Sequence, residues 1–462
     1  MFEPSALPTG PTGRYLVVLR DVGQKALIKA LKDSAGLSAT SSADFESAAI
    51  SSKELAKTEA MIFEHLGVAV VQADPGQLSA LESVVSDNAN PVLGVEPEEY
   101  VCALNEGGEG GPLISAAGLS YLRGYQDAVN ALVAGLAGAP AEAEAEEAGV
   151  TAAYADTANL TWGLQATLAA RSLCTGRGIR IAVLDTGFDL THPDFAGRSP
   201  VTASFVPGEA VQDGHGHGTH CIGTSCGPKA PAGTPRRYGI ATEATILAGK
   251  VLSNAGSGQD GWILAGINWA LQNRAIVISM SLGAPVQPGQ GFKQAYEQAA
   301  QAALNAGALI VAAAGNSGNQ PVGSPANCPS ILSVAAVDAN LQRAAFSCIG
   351  LNPGGGEVDI AGPGVAVFSS TKLPTIYATW NGTSMATPHV AGCAALWAQS
   401  TGLRGKPLWI QLVNAARNLG LPAQHVGAGL VQAPPCRKTL PPRPLPIPRP
   451  LPIPQPTLPS PQ

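Results

Sequence analysis

The stretch Ile181–Asp194, IAVLDTGFDLTHPD, begins as an apolar run and turns abruptly after an acidic residue. Its branched apolar side chains predict a buried β-strand that ends at Asp185, where Thr186-Gly187 begins a turn. A carboxylate at the carboxyl end of a buried strand is well placed to orient a histidine. The alternative, favoured for this residue taken alone, is a strand-end aspartate that caps a turn.

Comparable apolar runs recur along the middle of the chain and alternate with helical patterns. This alternation predicts an α/β fold, with a largely parallel twisted sheet and helices on both of its faces. Ligand sites in such folds lie at the carboxyl ends of the strands. The predicted strands are Ile179–Leu184, Ile246–Leu252, Ala275–Met280, Leu309–Ala314 and Ile331–Val337, and the predicted helices include Gly261–Asn273 and Gln294–Asn305.

The composition argues against several classes of protein. The chain has 462 residues, 45% of them hydrophobic, so we expect more than one domain and a sizeable core. A net charge of −6 gives no electrostatic reason for nucleic-acid binding. Eight cysteines without a repeated CxxC pair argue against a structural zinc site. No apolar run is long enough to span a membrane, and the first residues lack a signal-peptide pattern.

A second segment, Asp213–Gly223 (DGHGHGTHCIG), holds three histidines within six residues. The cluster formed by His215, His217 and His220 is compatible with a metal site, because neutral imidazoles are good ligands. It is equally compatible with one histidine acting as a general base while the others are structural. The glycines between them permit close approach of a substrate backbone in either case.

A third segment, Trp380–Val390 (WNGTSMATPHV), places Ser384 at the start of a predicted helix. Free backbone N–H groups and the helix dipole favour a nearby oxyanion at that position. A serine there is usually only a cap, and serine is a poor nucleophile unless a base takes its proton. The segment therefore needs a histidine, and the histidine needs a group that orients it.

Together the three segments supply Asp, His and Ser in that chain order, and here a family resemblance appears. The region from Trp162 to Ala433 resembles the subtilisin-like (subtilase) serine peptidases, in particular the proteinase K-like and bacterial subtilisin group. The matching motifs are IAVLDTG, GHGHGTHCIGT, VISMSLGAP, IVAAAGNSG and NGTSMATPHVAG, in the order of the family. The resemblance implies a serine endopeptidase that works through an Asp-His-Ser triad and an acyl-enzyme intermediate.

The resemblance also implies roles for individual residues. Asp185, His217 and Ser384 correspond to the triad, with His220 in support, and Asn316 corresponds to the amide that donates to the oxyanion. Ser257 and Gly258 resemble the edge that pairs with the substrate strand. Small residues around the specificity pocket predict a preference for a large apolar residue before the scissile bond. Those residues are Ser281, Leu282, Gly283, Ala313, Gly315 and Gly323.

Two positions depart from the commonest form of the family. Cys221 follows His220 directly, and we expect a buried free thiol sensitive to mercury, with a bridge to Cys226 as the alternative. Asp194 corresponds to a ligand of a calcium site in the family, but the loop after the catalytic-histidine helix contains lysine and arginines, which suit calcium poorly. We therefore expect no metal in the active site and no required cofactor, and other structural calcium sites remain open.

The rest of the chain divides into three further regions. Residues 1–104 resemble the inhibitor-type propeptide of these enzymes, which implies a zymogen; a permanent N-terminal domain is the alternative. Residues 105–157 form a linker, with a possible helix at Leu113–Leu136 and an acidic Ala-rich stretch at Ala141–Glu147. The peptidase domain covers residues 158–433, and residues 434–462 form a Pro-rich tail that favours an extended polyproline II chain.

The expected partners are protein or peptide substrates and the chain's own N-terminal domain, and we expect a monomer. Two other functions stay open: a maturation protease for one partner peptide, and a metal hydrolase built on the histidine cluster. The metal-hydrolase alternative leaves the motifs GTSMATP and AAGN unexplained. The missing signal-peptide pattern predicts a cytoplasmic protein or export by another route, whereas the family resemblance favours secretion.

Overall fold

A computed structural model of the protein describes residues 7–20, 22–44, 57–104, 153–352 and 354–435. The helix predicted at Leu113–Leu136, the acidic stretch Ala141–Glu147 and the Pro-rich tail beyond residue 435 lie outside these described residues. Within them, no helix has the length and apolar character needed to cross a membrane.

The N-terminal residues form an antiparallel sheet with two helices, α1 and α2. The strand order is β5-β1-β4-β3-β2, and only β2 and β3 run parallel. Helix α2 begins with a capping box, in which Asp74 and Gln77 satisfy each other's backbone N–H groups. The elements are β1 Pro11–Leu19, α1 Gln24–Ala35, β2 Ala39–Ser41, β3 Ala60–Phe63, β4 Val68–Val71, α2 Pro75–Ser83 and β5 Val92–Ala103.

Alternating side chains of β1 enter two different hydrophobic cores. Val17 and Leu19 pack under the two N-terminal helices, whereas Leu16 and Val18 join the core of the rest of the protein. Successive side chains of a strand point to opposite faces, so this sheet is covered on both sides. Its second face packs on the helices Asp260–Gln272 and Gln294–Asn305.

The second sheet is parallel in every pair of neighbouring strands, in the order β14-β13-β12-β10-β6-β8-β7. This agrees with the α/β fold expected from the alternating pattern. Its strands are β6 Arg180–Asp185, β7 Val201–Ser204, β8 Thr245–Lys250, β10 Val277–Met280, β12 Leu309–Ala313, β13 Leu332–Val337 and β14 Ile360–Pro363. Short strands β9 Ser257–Gln259 and β11 Leu282–Gly283 pair with β5, and β15 Val367–Ser370 pairs with β16 Tyr377–Trp380.

Helices cover both faces of this sheet. Ala182 and Leu184 of β6 pack on one side, and Ile181 and Val183 pack on the other. The helices are α3 Trp162–Ala166, α4 His217–Cys226, α5 Asp260–Gln272, α6 Gln294–Asn305, α7 Thr383–Thr401, α8 Gly405–Ala415 and α9 Ala423–Val426. Helices α4 and α7 lie against the Ile181 face, and α5 and α6 lie against the other.

Candidate active site

Asp185 and His217 meet at the carboxyl end of β6. Asp185 is the last residue of that strand and His217 the first residue of α4. The imidazole Nδ1 lies 2.7 Å from Oδ1 of Asp185, and both side chains are buried. Burial lowers the pKa of His217, but the charge and hydrogen bond of Asp185 contribute to a net pKa well above 6.5. The strand-end carboxylate thus orients a histidine, as expected from the sequence.

A second carboxylate, Asp213, fixes the loop that carries the histidine. Its oxygens accept hydrogen bonds from the backbone of His215, Gly216 and Thr219 and from the hydroxyls of Thr186 and Thr219. Burial raises the pKa of Asp213, but these donors outweigh it and the pKa is lowered. Sequence reasoning missed this residue, whose only signal was an aspartate directly before a Gly- and His-rich turn.

The three histidines of the segment have separate surroundings. Nε2 of His220 lies 3.1 Å from the carbonyl oxygen of Val367, and its ring stacks on Trp380. Burial and the charge of His217 lower the pKa of His220 to about 3, so its imidazole is neutral. Across the described ranges, the one group of three side chains that could share a metal ion is Asp185, His217 and Cys221. The histidine cluster therefore does not converge on a common point.

Ser384 is the second residue of α7 and lies beside the same strand ends. Its hydroxyl donates a 3.0 Å hydrogen bond to the carbonyl oxygen of Ser281. Nε2 of His217 is buried and has no hydrogen-bond partner among the described residues. The hydrogen bond from the Ser384 hydroxyl to Nε2 of His217 that a triad requires is therefore not formed in this structure.

The side chain of Asn316 is held in one orientation just after β12. Its Oδ1 accepts from the backbone N–H and the hydroxyl of Thr383, at 2.9 and 2.8 Å. Its Nδ2 donates to the carbonyl oxygen of Leu104 at 2.9 Å. The amide is thus fixed beside Ser384 and directed at a backbone carbonyl of the N-terminal region.

The end of β5 occupies the cleft between β9 and β11. Tyr100–Cys102 pair antiparallel with β9, and Cys102 and Ala103 pair with β11. Beyond the ladder, Ala103 N–H donates to the carbonyl of Gly256 and Leu104 N–H to that of Ser281. Of the residues predicted to bind substrate, Ser257, Gly258, Leu282 and Gly283 flank this segment directly.

Leu104 lines a cavity of about 290 Å³. Gly315 and Gly323, which the sequence analysis assigned to the specificity pocket, contribute to the wall of this cavity. Ala313 is a buried residue inside β12 and is not among the residues that line this cavity, so its place in the specificity pocket stays a prediction. The lining residues that the sequence analysis missed are Ala284, Pro285, Val286, Gln287, Ser317, Gln320, Pro321 and Cys348.

Cys221 and Cys226 are both free and buried, so the bridge considered between them is not formed. The Sγ of Cys221 lies 3.9 Å from Nδ1 of His217 and 3.6 Å from the carbonyl oxygen of Ser384. Burial raises the pKa of this thiol. Cys221 is therefore a neutral thiol packed directly against the predicted triad.

Asp194 does not fit a calcium site. Its oxygens accept hydrogen bonds from the backbone N–H groups of Ala232 and Gly233, at 2.7 and 3.1 Å. They also accept from the hydroxyls of Tyr238 and Tyr377, at 2.6 and 2.9 Å. A calcium ion needs the oxygen lone pairs that these donors already use.

Comparisons with known proteins agree with this geometry. The sequence model of the subtilase family matches residues 176–429, which is more than half of the chain. Subtilisin Savinase of Lederbergia lenta is 42% identical over 285 residues, covering 60% of this chain and 97% of that protein. Subtilisin NAT of Bacillus subtilis subsp. natto and Subtilisin E of Bacillus subtilis (strain 168) are 43% identical over 228 residues. The match covers 48% of this chain and 56% of the length of those two relatives.

Proposed function

Since the chain belongs to the subtilase family, we propose that it is a serine endopeptidase, made as a precursor that cleaves itself after Leu104. The observation that carries the proposal is the 2.9 Å hydrogen bond from Asn316 to the carbonyl oxygen of Leu104. It supports the view that Leu104 lies where a substrate residue would present its scissile carbonyl.

The proposed mechanism is acyl transfer. Ser384 Oγ attacks the carbonyl carbon while Nε2 of His217 takes the hydroxyl proton, and Asp185 stabilises the imidazolium through Nδ1–H. The amide of Asn316 and the backbone N–H of Ser384 hold the oxyanion. The C–N bond then breaks, and His217 gives its proton to the leaving amine. Water repeats the sequence on the acyl-enzyme and restores the Ser384 hydroxyl.

The preferred substrates are extended segments with an apolar residue before the scissile bond. Leu104 supports this assignment, because the cavity beside it is lined mainly by apolar and small residues. The antiparallel pairing of Tyr100–Cys102 with β9 supports binding by strand addition. After cleavage, the N-terminal domain acts as an inhibitor that occupies this cleft.

We place the protein in an oxidising compartment, in line with the secreted alternative. Cys174 is disulfide-bonded, and structural disulfides persist mainly outside the cytosol. No cofactor enters the proposed reaction.

The test compares the wild type with Ser384→Ala by intact mass and C-terminal analysis of the N-terminal fragment. We expect a fragment that ends at Leu104 in the wild type and an uncleaved Ser384→Ala chain. Ser199→Ala, an exposed serine far from the cleft, is the matched control and should be cleaved like the wild type. Cleavage at Leu104 in Ser384→Ala would defeat self-processing, and a wild type inactive on every peptide would defeat the peptidase itself.

A further inference from the structure

We propose that Asp260 and Lys293 form an extended subsite that selects an acidic residue at the sixth substrate position. Positions are counted backwards from the residue whose carbonyl is attacked, so Leu104 is the first and Glu99 the sixth. The inference rests on the proposed function, because it treats Glu99–Leu104 as lying in the cleft as a substrate does.

The strand ladder determines which residue reaches this subsite. Tyr100 pairs with Gln259, Val101 with Gly258 and Cys102 with Ser257. Asp260 follows β9 directly and begins α5. A segment that pairs with β9 in this register therefore brings its sixth residue to Asp260, and a shift by one residue would turn every side chain to the opposite face.

Both the backbone and the side chain of Glu99 are bound. Its N–H donates to Oδ2 of Asp260 at 2.9 Å. Its carboxylate lies 2.9 Å from the ammonium of Lys293. That ammonium also contacts Oδ2 of Asp260, at 2.5 Å, and the carbonyl oxygen of Pro97, at 3.3 Å. The three N–H groups of the lysine are thus matched by three acceptors.

Asp260 is already engaged by three donors, one of which is the ammonium of Lys293. It is buried, its Oδ1 accepts from the hydroxyl of Tyr296 at 2.8 Å, and its Oδ2 is shared by Lys293 and the N–H of Glu99. A lysine or arginine at the sixth position would meet the ammonium of Lys293 without finding a free carboxylate. A glutamine would keep the backbone contact and lose the ion pair.

Asp260 and Lys293 belong to the peptidase region, so they remain after cleavage at Leu104. Departure of the N-terminal domain removes two of the three acceptors of Lys293, Glu99 and the Pro97 carbonyl. A substrate with a glutamate or aspartate at the sixth position supplies a new carboxylate acceptor for Lys293 in place of Glu99. The side chains of Lys293 and Glu99 are 15% and 33% exposed, so solvent screens the pair only in part.

The test uses the self-processed wild type and hexapeptide substrates Xaa-Tyr-Val-Ser-Ala-Leu with a chromogenic leaving group. Xaa is Glu, Gln or Lys, and serine replaces the cysteine of the native segment. We expect kcat/KM to fall in the order Glu, Gln, Lys, with a Glu-to-Gln ratio of about twofold to fivefold that shrinks in high salt. A second pair of peptides carries Glu or Gln in place of the tyrosine at the fifth position and controls for net peptide charge. Their kcat/KM values should differ much less.

The enzyme variants assign the effect to one ammonium. Lys293→Met should bring the Glu-to-Gln ratio close to one, Lys293→Arg should retain it, and Lys229→Met, at an exposed lysine elsewhere, should leave it unchanged. Equal kcat/KM for all three peptides in the wild type, or an unchanged ratio in Lys293→Met, would overturn the subsite. If Lys293→Met does not fold, the wild-type peptide series and the Lys293→Arg ratio still decide. Failure to cleave any peptide would count against the proposed function instead.

Discussion

The side-chain amide of Asn316 donates a 2.9 Å hydrogen bond to the carbonyl oxygen of Leu104 while Thr383 holds its other end. A donor fixed in this way needs no reorganisation when negative charge develops on the substrate oxygen. The hydrogen bond from Asn316 should therefore contribute to the rate of the chemical step.

Asn316→Leu should lower kcat by about 10²–10³-fold with little change in KM. That scale comes from the corresponding donor of a subtilisin, a member of the same family. The physical reason is that the hydrogen bond gains strength mainly in the transition state. Steady-state kinetics on the glutamate hexapeptide measure both parameters, and a variant altered chiefly in KM would contradict the assignment.

The raised pKa of His217 predicts an enzyme that works best above neutral pH. A general base must be unprotonated, so kcat/KM should fall as the pH drops through the pKa of His217, which lies well above 6.5. Asp185→Asn should move that midpoint downward and reduce kcat by roughly 10⁴-fold. A pH profile from about pH 5 to pH 10 checks both, and a wild-type midpoint at or below the ordinary histidine value would refute the prediction.

Mercuric ions should inactivate the processed enzyme through Cys221. The thiol lies 3.9 Å from Nδ1 of His217, so a bound metal atom would displace the imidazole from Asp185. Cys221→Val should remain active and lose the sensitivity. Cys348→Val is the control, because that cysteine lines the cavity beside Leu104 and should not protect. Inactivation of Cys221→Val at the wild-type rate would exclude this route.

Asp194 should stabilise its loop without calcium. Asp194→Ala removes the acceptor for two backbone N–H groups and two tyrosine hydroxyls, so we expect a loss of about 3–5 kcal/mol in the free energy of unfolding. Thermal melts with and without a chelator should shift equally in the wild type and the variant. A chelator effect present in the wild type and absent in Asp194→Ala would show that Asp194 holds an ion.

Much of the site could be predicted because its residues belong to short, dense motifs. Asp185 ends a strand, Asn316 follows one, and His217 and Ser384 lie in the first turns of helices, and the parallel sheet brings those ends to one edge. The rotamer of Ser384 could not be predicted, since it depends on the Ser281 carbonyl from a distant segment. The network around Asp213 was missed for the same reason.

Element boundaries show the same dependence on distant partners. The sequence Asn90–Val95 (NPVLGV) predicts a strand, but β5 extends from Val92 to Ala103, across Pro97. Local pattern argues against a strand through proline, but β1 pairs with one part of β5, and β9 and β11 pair with the rest. Helix α1 and strand β3 were not predicted, although Leu27, Leu31, Ala60 and Ile62 complete the N-terminal core and Met61 and Phe63 join the core of the rest of the protein.

The continuity of β5 determines how soon activity should appear after the proposed cut at Leu104. One strand pairs with β1 at one end and with β9 and β11 at the other, so in the uncut chain the N-terminal domain is held at an effective concentration that does not depend on the total protein concentration. A cut after Leu104 removes the tether but none of these contacts. Occupancy of the cleft then depends on total protein concentration, and activity should emerge sooner in a dilute preparation than in a concentrated one.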